Sequence, residues 1–247
     1  MKISNFDLEK KIINSGTDFV IGIDEAGRGP LAGPVVASAV LLKNKNLLDE
    51  KYEIKELDLI RDSKTLSAKQ REKIFDFIHE HFHVGVGICN HETIDRINIL
   101  EASFLAMKEA INSLAREITN YKLPARNASH SDSGGQIPNK KQKLKLEIQN
   151  SIILVDGNKA IPNCSYRQEA VIGGDGIVKS ISAASIVAKV SRDKIMLEAH
   201  EKYPEYGFDK HKGYGTKLHM EKIRECGPCK IHRKSFEPMK SLAKSEF

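Results

Sequence analysis

Apolar runs of strand length alternate along this chain with segments whose apolar residues recur at helical spacing. Residues 19–23 form a short apolar run that ends at Asp24, and residues 34–42 form a longer one rich in valine; both predict buried strands with a Gly/Pro turn between them. Ser67 begins a capping box with Gln70 three positions on. Ile74, Ile78 and Phe82 then recur at helical steps, which predicts an amphipathic helix. Residues 83–89 predict another strand. After it, Phe104, Met107, Ile111, Leu114 and Ile118 repeat at intervals of three and four, the pattern of a helix lying on a core. Residues 151–155 predict a strand ending at Asp156, and residues 170–172 a strand leading into Gly173, Gly174 and Asp175. From 180 to 203 the pattern is a helix apolar on most sides at its start, as one packed deep against a sheet would be, and Pro204 ends it. A shorter helix over 216–225 stops at Gly227 and Pro228. A basic tail carrying His232, Arg233 and Lys234 closes the chain.

Between residues 122 and 149 Asn, Ser, Gly and Lys replace the periodic apolar residues, which predicts a flexible insertion. No internal repeat is present. The 247 residues, 40% hydrophobic and 29% charged, suit one main globular domain with appendages. A formal charge of +6 is compatible with a phosphate-bearing partner without requiring one. The N-terminus has scattered charges and no apolar h-region, and no stretch approaches the roughly 18 apolar residues of a span, so neither a signal peptide nor a membrane crossing is expected. Cys89, Cys164, Cys226 and Cys229 are too few and too unevenly placed to staple the chain, which points to a reducing, cytoplasmic setting.

Several of the apolar runs finish in acids: Asp24 with Glu25, then Asp156, and Asp175 just beyond its strand. Each alone is an ordinary turn former. If the strand ends share one rim, four carboxylates gather there, and like charges at such range require compensation. A divalent cation supplies it, and an open cluster of oxygen ligands suits magnesium, which keeps several waters. A pair of such ions about 3.5–4 Å apart can hold both the attacking and the leaving oxygen of a phosphodiester. Successive strand residues face opposite sides, so Asp24 and Glu25 can share an ion only if the strand bends there; Gly27 and Gly29 would allow that.

The blocks GIDEAGRGPLAGPVV, DSKTLS, INILEASFLAM, VDGN, GGD with KSISAASIVAKVSRD, YGFDKHKGYGTKLH and HRKSF, in this order, resemble the ribonuclease HII family and cover nearly the whole chain outside the leader and the insertion. The resemblance implies an α/β, ribonuclease H-like fold: a mixed five-stranded sheet flanked by helices, with a small helical C-terminal part. It implies a polar leader over 1–16, a catalytic domain over 17–215 that carries the insertion, and a C-terminal segment over 216–247. It places a catalytic, metal-binding tetrad on Asp24, Glu25, Asp156 and Asp175, served by Mn2+ or Mg2+. Gly27, Arg28, Gly29 and Tyr214 match the elements that recognise a ribose 2′-hydroxyl at an RNA-to-DNA junction. Such a hydroxyl both donates and accepts, so close backbone groups can test for it while a tyrosine packs on the next sugar.

Lys64, Arg28, Lys212 and Arg233 are candidate phosphate contacts. Asn98 is a candidate backbone contact, or else a helix cap. The implied activity is endonucleolytic hydrolysis of RNA:DNA hybrids and nicking 5′ to ribonucleotides embedded in duplex DNA, leaving 3′-hydroxyl and 5′-phosphate ends. The expected partner is nucleic acid, with no membrane, and the chain is expected to be a monomer. Two other functions fit parts of the pattern: a different nuclease or strand-transfer enzyme on this fold, which would keep the acids without needing the GRG loop and Tyr214, and a binding protein without catalysis.

Three motifs are decoys. Cys226-Gly-Pro-Cys229 copies a thioredoxin-type tetrapeptide but follows a helix instead of opening one. His219 and His232 beside those cysteines give an irregular spacing for zinc. GDGIVKS lacks the glycine that a phosphate loop places before its lysine; Val178 stands there.

Overall fold

The computed structural model describes residues 4–49, 55–61, 66–120 and 150–245, so the expected insertion over 122–149 and Lys64 lie outside the described residues. Strands β1 (Phe19–Ala26), β2 (Val35–Leu42), β3 (Phe82–Cys89), β4 (Ser151–Asp156) and β5 (Arg167–Val171) form one sheet in the order β3-β2-β1-β4-β5. β1 pairs antiparallel with β2, and β2 with β3, while β4 runs parallel to β1 and β5 parallel to β4. This is the mixed five-stranded sheet expected. The described helices are α1 (Asp7–Asn14), α2 (Lys55–Leu59), α3 (Ala68–His81), α4 (His91–Ile97), α5 (Ile99–Asn120), α6 (Lys179–Lys202), α7 (Phe208–His211), α8 (Lys217–Cys226) and α9 (Met239–Ser245). None among the described residues is long and apolar enough to cross a membrane.

Alternation along β1 divides the core. Ile21 and Ile23 point to one face, where they join Ile153, Val155 and the α5 residues Ala102, Ala106, Ala110 and Leu114. Val20 points to the other, with Ile152, Leu154 and Ile181 of α6. Gly22 shares that second face, and a Cβ there would sit 2.2 Å from the carbonyl carbon of Ser180. Absence of a side chain thus lets the first turn of α6 press directly on β1, which places α6 beside the end of the strand that carries the acids. α3 covers the rest of this face through Ile74 and Ile78, against Ala183, Ala184 and Val187. Truncating Ile23, fully buried, to alanine would cost about 2–5 kcal/mol.

The expected capping box is present: Gln70 N–H donates to Ser67 Oγ, and Ser67 N–H donates to Gln70 Oε1. Phe82 departs from its expected place in that helix and opens β3 instead. β1 runs three residues further than the apolar run, because its ladder to β2 continues through Asp24↔Ser38, Glu25↔Ala37 and Ala26↔Val36. β5 ends at Val171, leaving Ile172 exposed outside the sheet. The leader contains α1, whose Glu9 is buried and accepts the Ser180 N–H at 2.8 Å, capping the start of α6. Burial raises the Glu9 pKa. A third cluster, of Met196, Tyr206, Phe208, Ile223 and Met239, joins the C-terminal elements to Ala32 in the loop after β1.

Candidate active site

The register of the sheet sets two acids side by side. Ile23↔Val155 is the last pair of the β1–β4 ladder, and the next residue on each strand is an acid, Asp24 and Asp156. Asp24 is buried, and its Oδ1 accepts the Glu25 N–H at 2.7 Å. Its pKa is raised well above the usual carboxylate value, first by burial, then by the charges of Glu25 and Asp156; a hydrogen bond with the Ser185 side chain on α6 opposes this. Burial also raises the Glu25 pKa, Arg28 pulls it down, and Asp156 pushes it up again. Arg28 Nη1 lies 3.3 Å from Glu25 Oε1.

Asp175 sits in a one-turn 3-10 helix after β5, entered through Gly173 at a φ of 64°. Its N–H donates to Asp156 Oδ1 at 3.2 Å, and Ser182 Oγ donates to its carbonyl at 2.7 Å. Asp24, Glu25 and Asp156 therefore share one electrostatic field, and Asp175 is tied to it through its backbone. Among the described residues no three His, Cys, Asp or Glu side chains close around a ligand position. The chemistry of this carboxylate set nonetheless fits a hard divalent cation: all its side-chain donor atoms are oxygens, and the repulsion from Glu25 and Asp156 that adds to burial in raising the Asp24 pKa is what such a charge relieves.

Beside the acids, the loop after β1 turns at Gly27, with a φ of 101°. A Cβ at Gly27 would come 2.2 Å from Arg192 Nε and 2.7 Å from the Pro34 carbonyl oxygen, so only glycine fits. Gly29 has no such φ, so the backbone bend belongs to Gly27 alone. Its nearest neighbour is the Tyr214 ring, whose Cε1 would lie 3.8 Å from an added Cβ. Tyr214 is 42% exposed, with Lys189 Nζ 5.8 Å from its ring centre. The turn and the tyrosine are thus adjacent at the surface. Next to Tyr214 a groove of about 390 Å³ is lined by Arg71, Lys189, Lys194, Lys210 and Lys212, against two acids, Glu72 and Asp193.

Other expected residues have different surroundings. Arg233 is not an exposed phosphate contact: it is fully buried and donates to main-chain carbonyls of the glycine loop. His232 is buried too, so this part of the basic tail belongs to the interior. Lys212 Nζ donates to the Asp209 carbonyl. Asn98 is exposed, and its Oδ1 caps α5 by accepting the N–H groups of Leu100 and Glu101 at 3.0 and 3.2 Å. Pattern reading missed Ser185 and Arg192, both on α6. For Ser185 the signal available was a polar residue in the apolar first half of the helix, which needs a buried partner; Arg192 stands among Ser191, Asp193 and Lys194 and carries no such signal.

The Cys226-Cys229 segment has neither redox nor helix-start geometry. It straddles the end of α8, and burial pushes the Cys229 thiol up to about 11, the opposite of an activated thiol. The nearby histidines bond one another: His219 Nε2 lies 3.0 Å from His232 Nε2, and His219 Nδ1 lies 2.9 Å from the Tyr214 carbonyl.

The mixed five-stranded sheet in the order β3-β2-β1-β4-β5, packed with helices, is the ribonuclease H fold of solved structures. The ribonuclease in the PCNA:RNase HII complex from Archaeoglobus fulgidus superposes with a TM-score of 0.58 at 21% identity, covering 89% of this chain and 96% of that one. Bst-RNase HIII in complex with Mn2+ gives 0.59 at 19% identity, over 95% and 72%. Sequence carries the assignment further. Residues 21–239 match the Ribonuclease HII family model. Ribonuclease HII of Caldicellulosiruptor bescii is 43% identical over 94% of this chain and 92% of its own length, and that of Acholeplasma laidlawii is 42% identical over 99% and 100%. The chain belongs to the ribonuclease HII family. It is accordingly an enzyme, an endonuclease hydrolase of the ribonuclease H type, from a family that acts on nucleic acid and depends on divalent metal.

Proposed function

We propose that this enzyme cuts the RNA strand of RNA:DNA hybrids and nicks duplex DNA 5′ to embedded ribonucleotides, leaving 3′-hydroxyl and 5′-phosphate ends, and so serves ribonucleotide removal from DNA. One observation carries the reading: Asp24 and Asp156 follow the last pair of adjoining strands, beside a glycine loop whose exposed Gly29 neighbours the Tyr214 ring. Asp24, Glu25, Asp156 and Asp175 are the residues that would hold Mn2+ or Mg2+. When bound, two such ions supply Lewis-acid stabilisation of the attacking and leaving oxygens. The remaining work belongs to the chain. Ser185 and the Glu25 N–H orient the Asp24 carboxylate, and Asp156 fixes the turn that bears Asp175.

Gly27, Arg28, Gly29 and Tyr214 form the ribose-sensing element of this reading, with Tyr214 packing against a sugar. The basic groove beyond Tyr214 takes the duplex backbone, which it positions without reading sequence. Lys64 and the amide nitrogen of Asn98 complete the set of substrate contacts. In this arrangement catalysis resides in residues 17–215, while the C-terminal segment over 216–247 contributes Arg233, which holds the sensing loop from behind. We place the enzyme in the cytoplasm as a monomer, in keeping with its four free cysteines.

The test is a labelled DNA duplex with one ribonucleotide beside an all-DNA duplex, in magnesium, manganese or chelator. Metal-dependent nicking 5′ to the ribonucleotide is expected, with the all-DNA duplex intact. Cleavage of all-DNA substrate would favour a general nuclease, and tight metal-independent binding without cutting would favour a binding protein.

A further inference from the structure

Two buried arginines hold the glycine loop from beneath. Arg192, on α6, donates from Nε to the Pro34 carbonyl at 2.9 Å, from Nη1 to Lys212 at 2.9 Å and from Nη2 to Ala32 at 3.0 Å. Arg233 donates from Nε to Gly33 at 3.0 Å and from Nη1 to Arg28 at 2.9 Å, and its Nη2 donates to Gly27 at 2.6 Å and Pro34 at 3.2 Å. Every one of these acceptors is a main-chain carbonyl. Burial draws both guanidiniums below their ordinary pKa, Arg192 to about 10 and Arg233 to about 9, so both remain charged at neutral pH. Burying two cations is costly, and well-packed apolar side chains hold a loop at least as firmly. Planar forks with several donors do something apolar groups cannot: they fix which way each peptide unit of the loop faces.

In a trans peptide the N–H points opposite to the C=O. The Gly27–Arg28 and Arg28–Gly29 bonds are trans, the cis bond among the described residues being Glu237–Pro238. With the Gly27 carbonyl aimed inward at Arg233, the Arg28 N–H is turned outward. With the Arg28 carbonyl aimed at the same guanidinium, the Gly29 N–H follows. Neither N–H has an acceptor among the described residues, and both residues are exposed. Two successive outward N–H groups next to the Tyr214 ring make a concave donor site for a sugar hydroxyl.

We propose that Arg233, supported by Arg192, is the positioning residue that sets discrimination between ribose and deoxyribose, by turning the Arg28 and Gly29 N–H groups toward the sugar. This rests on the ribonucleotide reading above and adds to it a specificity determinant that touches no substrate. Lysine at 233 keeps the charge but has no planar fork to orient both carbonyls.

The experiment uses the full chain carrying Asp156→Asn, so that binding is measured without turnover. Affinities are compared for a duplex with one ribonucleotide and for the same duplex in all-DNA form, with Arg or Lys at 233. The parent is expected to prefer the ribonucleotide duplex. Arg233→Lys is expected to lower that preference about tenfold, the size of one lost hydrogen bond, with all-DNA affinity unchanged. A purely structural role would lower the melting temperature and leave the preference intact, and that result in the folded variant overturns the inference. Should Arg233→Lys fail to fold, Arg192→Lys, which holds Pro34 and Lys212 in the same frame, is read by the same criterion. A parent with no preference removes the ribonucleotide reading and this inference together; a preference kept in the variant removes the inference alone.

Discussion

The backbone N–H of Asp175 donates to Oδ1 of Asp156 at 3.2 Å, so the turn that presents one acid is held by the carboxylate of another. Asparagine at 156 keeps an oxygen that can accept this bond but loses the charge. Asp156→Asn is therefore expected to reduce kcat more than about a hundredfold, with the melting temperature at or above that of the parent in chelator. Asp156→Ala is expected to lose activity and also about 1 kcal/mol of stability, read by urea denaturation. A fully active Asp156→Asn enzyme would sink the assignment of the acids.

Two glycines separated by one residue are expected to differ in their tolerance of alanine. At Gly27 the φ of 101° and the approach of Arg192 Nε leave no room for a Cβ. The substitution is expected to cost roughly 2–4 kcal/mol, combining a strained backbone with overpacking. At Gly29 the backbone is ordinary and the nearest atom would be 3.8 Å away, so alanine is expected to change stability by less than about 0.5 kcal/mol. Calorimetric melting of the two variants checks this.

The pair His219 and His232 makes stability pH-dependent. Burial lowers the pKa of each to about 4. A group whose folded pKa lies below its unfolded value, here about 6.5, favours unfolding once the unfolded chain takes up the proton. Their full contribution is thus present above about pH 6.5 and is lost as pH falls toward about 4. The unfolding free energy read by urea denaturation is expected to fall across that window by on the order of 3 kcal/mol for the first proton, and a His219→Gln variant should show a shallower fall.

Salt dependence probes the groove beside Tyr214. If Lys194 and Lys210 meet phosphates there, replacing either with alanine should reduce the slope of log affinity against log salt by about 1, without changing the choice of ribonucleotide over deoxyribonucleotide. Unchanged slopes in both variants would exclude the groove as the seat of the duplex.

Much of this was legible in one dimension. Ile21, Ile23, Ile153 and Val155 are a strand-length apolar code, and Ser67 with Gln70 announced its helix. The acids stood out because each closes or follows an apolar run. Boundaries were less legible where pairing overrode composition: β1 continues through Asp24 and Glu25 because the ladder to β2 supplies partners for their backbone.

By itself the sequence determined the α/β architecture and singled out the four acids as candidates, since periodicity and motif are local properties of the chain. Only the tertiary structure decided what the basic residues near the end do. Arg233 reads as a surface cation because charge is visible in sequence and burial is not; its acceptors, at residues 27, 28, 33 and 34, are about two hundred positions away. Hydrogen bonds across such separations are fixed by where α6 and the C-terminal cluster press on the loop after β1, and no local pattern encodes that meeting.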